Sequence, residues 1–204
     1  MNVMMPDEDQ PMIPEKPEDI FNSIKDFGRF DRKFLEERKI FLWGVVDDTS
    51  AERVTNRLMY LESIDPGKEI TLYINSPGGI VTSGMVVMDT MKLITSPVST
   101  VCMGLAASMG SLLLSNGTKG RRFIFPNGRV MIHQPSIGGA QGTAADLAIT
   151  AREIKKTKEL GARILAENTG QSFEKIMKDF DRDFWLNAQE SLEYGIVDEI
   201  VSKL

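Results

Sequence analysis

The chain has 204 residues, 42% of them hydrophobic and 26% charged, with a net charge of −5, a balance that fits one globular domain with a sizeable core. Cys102 is the only cysteine, which excludes an intrachain disulfide or a cysteine metal cluster and fits a reducing, cytoplasmic setting. There is no basic field to hold a polyphosphate, which argues against nucleic acid, and no apolar run approaches the roughly 18 residues of a membrane span.

Residues 1–20 carry six acids, one base and four prolines. This composition reads as an acidic tail, a propeptide or axial segment, ahead of a single domain over 21–204. No basic-then-apolar secretory pattern opens it. Residues 21–204 hold 23 acids and 23 bases, so the domain itself is neutral.

Strand-like and helix-like stretches then alternate. "KIFLWGVV" (39–46) reads as a strand. Thr49 and Glu52 have capping-box spacing, and Val54, Leu58 and Leu61 follow at helical spacing. "SIDPGK" is a turn. "EITLYI" (69–74) is a second strand and leads into "NSPGG". Residues 82–94 read as a helix. "VSTVCM" (98–103) is a third strand that runs into the small-residue stretch "GLAASMGS", and 108–115 looks helical. "RRFIF" and "RVMI" are two short strands around the turn "PNG". A long helix covers about 143–168, opened by Thr143 and Asp146. A helix at 172–180 follows, then one at 188–194 with Asn187 and Glu190 as its box and Gly195 as its stop. "IVDEIV" closes the chain. Strands separated by helices imply βαβ units, hence an α/β fold with a largely parallel sheet.

Three segments carry the chemistry. Ser108 stands where a strand ends and a helix begins, in an A-x-S-x-G setting like a nucleophile elbow. The N–H of Met109, at the helix start, can face an oxyanion. Serine is also a common helix cap, and the elbow alone is weak. In "NSPGG" (75–79), Pro77 stiffens a turn in which Gly78 and Gly79 bare their N–H groups. Both segments follow strands, so a parallel sheet gathers them on one edge. A serine needs a base, and the only histidine is His133, in "MIHQP". A carboxylate must orient it. "DFDRDFW" offers Asp179, Asp181 and Asp183, and spacing does not choose among them.

In this order, "YINSPGG", "GLAASMGSLLL", "MIHQP", "GGAQG", "TGQS" and "DRDFW" resemble the family of proteolytic subunits of the caseinolytic (Clp) protease, over roughly residues 38–204. The resemblance implies a crotonase-like fold of repeated ββα units. It implies Ser108 as nucleophile, His133 as base, Asp183 as orienting acid, and the backbone of Gly79 and Met109 as the oxyanion hole. Gly138, Gly139, Ala140, Gln141 and Gly142 would line the substrate groove. The long helix would be a handle between two stacked heptamers, and Asp181 and Arg182 would couple the rings to the triad. The partners it implies are further copies of the chain, a separate AAA+ unfoldase that uses the ATP, and unfolded polypeptides. It implies no cofactor or metal on this subunit and no membrane or nucleic-acid partner.

Some features depart from the family pattern. Residues 21–44 differ from the usual axial segment. One extra residue lies between His133 and Gly138. Thr71, Tyr60 and Met85 stand where aromatic residues commonly line the partner-docking pocket. Two other readings use the same residues: an acyl-coenzyme A enzyme of the same fold, and a ring subunit with little activity of its own. Fluorophosphonate labelling of Ser108 separates the first, and activity of the purified homo-oligomer the second.

Overall fold

The computed structural model describes residues 28–139 and 141–203. The tail at 1–20 lies outside them. Residues 28–36 form a helix, α1, in a unit of residues 1–37 separate from the one that begins at Arg38.

The second unit is α/β. Its elements are β1 (Lys39–Trp43), α2 (Asp48–Ile64), β2 (Ile70–Ser76), α3 (Val81–Leu93), β3 (Val98–Ala107), α4 (Met109–Ser115), β4 (Arg122–Ile124), β5 (Arg129–Ile132), α5 (Ala144–Thr169), α6 (Phe173–Asp179), β6 (Phe184–Leu186), α7 (Ala188–Tyr194) and β7 (Glu199–Ile200). The sheet runs β1-β2-β3-β4-β7, with β5 paired to β3 and β6 to β5. Every pair is parallel except β5–β6.

The patterns explain the elements. In β2 the residues alternate, with Ile70, Leu72, Ile74 and Ser76 buried, as a period of two requires. In α2 the buried residues are Ala51, Val54, Leu58 and Leu61, one stripe at helical spacing. The α2 cap differs from expectation. Asp47 is the N-cap and Ser50 closes the box, because in the run Asp47-Asp48-Thr49-Ser50 the chain turns helical two residues earlier than Thr49 requires. β1 is also shorter than 39–46: it ends at Trp43, and only Val46 rejoins, in a bridge to Gly79.

β4 and β5 do not form a hairpin around "PNG". β3 is long enough to pair with both in parallel: Thr100–Cys102 with β4 and Leu105–Ala107 with β5. β6 is a further strand that its sequence did not announce.

The long helix is anchored at one end. Its buried residues, Gly161, Ala162 and Leu165, all lie in the last third. There Arg122 Nη1 donates to Asn168 O at 2.8 Å, and Asn168 Nδ2 to Ser115 Oγ at 3.1 Å. Toward its start, Leu147 and Ile149 stand exposed.

Glu62 on α2 pins the loop before β3. Its carboxylate accepts from Thr95 N–H at 2.9 Å and Ser96 N–H at 3.0 Å. Hydrogen bonds from Ser96 and Thr95 pull its carboxyl down to about 2. A carboxylate depressed in the folded state stabilises above its unfolded pKa, and that contribution fades as pH falls toward the folded value. Glu62→Gln should therefore lower the unfolding temperature at pH 7. The gap to wild type should narrow once the pH drops below about 4.5, toward 2. Thermal melts across pH 3–7 check this.

Candidate active site

Strand register brings the chemistry together. β2 and β3 pair evenly up to Ile74↔Cys102, then shift, so that Ser76 lies beside Ala106. The slack is taken up on β3, where Gly104 has φ +87°. The shift lays the turn Pro77-Gly78-Gly79 against Ala107-Ser108-Met109. On the other side of β3, Ala107 pairs with Met131, and Ser108 N–H donates to Met131 O at 2.8 Å. β5 then ends, and its next residue is His133, one step past the position level with Ser108. β6 pairs Phe184 with Ile132, which places Asp183 opposite His133.

The side chains meet accordingly. His133 Nε2 is 2.8 Å from Ser108 Oγ, and His133 Nδ1 is 3.0 Å from Asp183 Oδ1. The other two aspartates of the segment are engaged elsewhere. Asp179 accepts from Tyr194 OH at 2.8 Å and Lys175 Nζ at 2.7 Å. Burial pushes its carboxyl up, but those two donors outweigh this and leave it below its ordinary value. Asp181 takes Lys158 and Gln134.

Ser108 has φ 53° and ψ −122°, a backbone that side chains other than glycine's strain to adopt. Its carbonyl is held by Ser111 N–H at 3.0 Å and by Ser111 Oγ at 2.6 Å. These contacts oppose relaxation and keep the hydroxyl turned out at the strand end.

The glycine turn fits closely against this elbow. A Cβ on Gly78, at φ +93°, would stand 2.5 Å from Ser108 Cβ and 2.9 Å from Met109 N. One on Gly79 would stand 2.2 Å from Val46 O. Val46 N–H donates to Gly78 O at 2.8 Å, and Ile80 N–H to Val46 O at 2.7 Å. This bridge uses the groups on either side of the Gly79 N–H and leaves that N–H out. Met109, the first residue of α4, has no acceptor within the helix for its own N–H. Met109's side chain is buried under Gly84, where a Cβ would meet it at 2.3 Å.

Beside Ser108 and His133 lies an apolar pocket whose walls include Met85, Met109, Leu112, Pro135 and Phe180, with Thr157 and Gly161 of α5. Of these, the sequence singled out Met109, for its backbone, and Met85, for a different pocket. The rest come from four separate segments, and no linear pattern links them. A neighbouring groove lies between Pro135-Ser136-Ile137 and the first turns of α5. Gly138, Gly139, Gln141 and Gly142 follow, all exposed, and Ala140 lies outside the described residues.

Met85 faces Ser108, Thr71 lines a groove on the sheet with Tyr73 and Phe123, and Tyr60 is exposed on α2. The three belong to α3, β2 and α2.

Among the described residues no group of three His, Cys, Asp or Glu side chains could hold a metal ion, and no helix is long and apolar enough to cross a membrane. Burial pushes the Cys102 thiol up to about 12, so it is no rival nucleophile.

A hydroxyl, an imidazole and a carboxylate in one hydrogen-bonded row, beside two amides, make the layout of a serine hydrolase. Residues 26–204 match the Clp protease family. A protein of Bacteroides fragilis named ATP-dependent Clp protease proteolytic subunit is 52% identical over 171 residues, 84% of this chain and 82% of that one. The chain belongs to the Clp protease family, a family of serine peptidases.

Proposed function

We propose that the protein is the proteolytic subunit of an ATP-dependent Clp protease and cuts unfolded polypeptides to short peptides. Ser108 Oγ attacks the peptide carbonyl carbon while His133 Nε2 takes its proton. Asp183 accepts from His133 Nδ1–H and stabilises the imidazolium. The Gly79 and Met109 N–H groups hold the oxyanion, each worth about 2.7–4 kcal/mol in comparable sites. His133 then returns the proton to the leaving amine. A water, deprotonated by the same imidazole, releases the acyl group from Ser108. The observation that carries this reading is the 2.8 Å and 3.0 Å contacts of one histidine with a serine and an aspartate.

The extended substrate runs along Gly138–Gly142, backbone to backbone. Its side chain before the cut enters the apolar pocket. Peptides with Leu or Met at that position should be cleaved about a hundredfold faster, in kcat/KM, than peptides with Asp, whose charge finds no partner there. A peptide series varied at that one position measures it.

The active form is two stacked heptamers with α5 as the handle between rings. Asp181 and Arg182 couple ring contact to the triad. The single protease domain covers 21–204, with 1–20 as a tail ahead of it. The sequence has no G-x-x-x-x-G-K-[ST], so ATP is used by a separate AAA+ unfoldase, and the subunit works in the cytoplasm without a cofactor. Sedimentation of the purified protein, with a peptidase assay on each fraction, tests this. Activity confined to a particle of about fourteen subunits supports it, and activity in the monomer fraction contradicts it.

A further inference from the structure

The turn between α6 and β6 (residues 180–183) carries Asp183, whose side chain is 60% exposed. Exposure gives it no packing to hold its position. Two ties beyond the β5–β6 ladder fasten the turn. One comes from Gln134, next to His133. Its N–H donates to Phe180 O at 2.6 Å, and its Nε2 to Asp181 O at 2.7 Å and to Asp181 Oδ1 at 3.3 Å. The other comes from α5. Lys158 Nζ lies 3.1 Å from Asp181 Oδ1, and the lysine side chain is drawn in to 19% exposure. Lys158 and then Arg182 hold the Asp181 carboxyl below its ordinary value.

Lys158 follows Thr157 and precedes Gly161 by one helical step. Thr157 and Gly161 form part of the pocket beside Ser108. One stretch of α5 thus touches both the pocket wall and the turn that bears the orienting acid. An ion pair with an exposed carboxylate adds little to stability. A lysine drawn onto it, away from solvent, gives up side-chain freedom, which points to a role in geometry.

We propose that Lys158 is a positioning residue of the peptidase: its ammonium, held on Asp181, locks the 180–183 turn to α5 and so keeps the Asp183 carboxylate on His133 Nδ1. This rests on the Ser108–His133–Asp183 reading above. The lock works through alignment, so losing it lowers kcat and leaves KM and the fold alone.

The test uses the full chain with Lys158→Met, Lys158→Arg, Asp181→Asn, the double variant Lys158→Met/Asp181→Asn, and Ser108→Ala. A short fluorogenic peptide gives kcat and KM. Sedimentation gives particle size. Because His133 is the sole histidine, the downfield imidazole N–H proton resonance reports its contact with Asp183 without ambiguity. Lys158→Met should lower kcat about tenfold to a hundredfold with KM changed less than about twofold, particle size unchanged, and the downfield resonance lost or shifted. Lys158→Arg should recover most of the rate. The double variant should be no slower than Asp181→Asn alone, since Asp181→Asn loosens the contacts with Gln134 and Arg182 and already includes the loss of the Lys158 one.

The proposal is overturned if Lys158→Met keeps its kcat, if the two single effects multiply, if arginine fails to rescue, or if the rate falls only with loss of the particle while the resonance stays. Ser108→Ala separates the levels. If it stays active, the triad reading itself fails. If it is inactive while Lys158→Met is unimpaired, only the lock fails.

Discussion

Ser108→Ala is expected to cut peptide turnover by about 10⁴- to 10⁶-fold, the scale at which serine hydrolases lose their nucleophile. Its unfolding temperature should stay near that of wild type, because the methyl fills the same strained backbone position. Ser108→Gly separates chemistry from strain. It should be as inactive, yet more stable by about 1–2 kcal/mol, since glycine adopts φ near +53° without a Cβ penalty. Residual activity at the background level in both variants, with a higher melting temperature in the glycine one alone, is the expected pattern. Equal melting temperatures would mean that the elbow stores no strain.

The second large effect is expected at Gly78. An alanine there would place Cβ 2.5 Å from Ser108 Cβ and 2.7 Å from Ala107 O. Neither atom is the end of a flexible chain, so the backbone must move. The φ of +93° adds strain of its own. The displaced parts are the serine and the Met109 amide, the groups whose relative position the reaction depends on. A misplacement of about 1 Å costs about 10²-fold, so Gly78→Ala should lose at least that much in kcat and about 1–3 kcal/mol of stability. Gly67→Ala is the control. Its φ is +80° but nothing lies within 4 Å of its added Cβ, so it should lose stability without losing rate. Steady-state kinetics and thermal melts on both variants check this.

The sequence carries unequal amounts of this account. Helix caps with one strong candidate were readable: Asn187, Glu190 and Gly195 bound α7, and Thr143 and Asp146 open α5. Where four capping residues stand in a row, as at 47–50, local chemistry does not say which one the helix starts from. Serine, histidine and glycine turn were legible because strand ends in a parallel sheet share an edge. The choice among Asp179, Asp181 and Asp183 came only from the family resemblance and not from their spacing, since it depends on the antiparallel pairing Ile132↔Phe184. β6 is three residues long and follows charged ones, too short for a period to show. The two-residue shift between β2 and β3, which sets Gly78 against Ser108, leaves only Gly104 as a local trace. The pocket residues Leu112 and Phe180 read as ordinary apolar positions until the chain is folded.

In the proposed mechanism Ser108 is made nucleophilic by His133, which Asp183 orients, beside two amides. Mass spectrometry of the assembled protein after reaction with a fluorophosphonate tests it most directly. One adduct is expected, on the peptide containing Ser108, rising in step with loss of peptidase activity and absent when His133 is replaced by alanine. Activity that disappears with Ser108 unmodified, or that persists when Ser108 is fully modified, would contradict it.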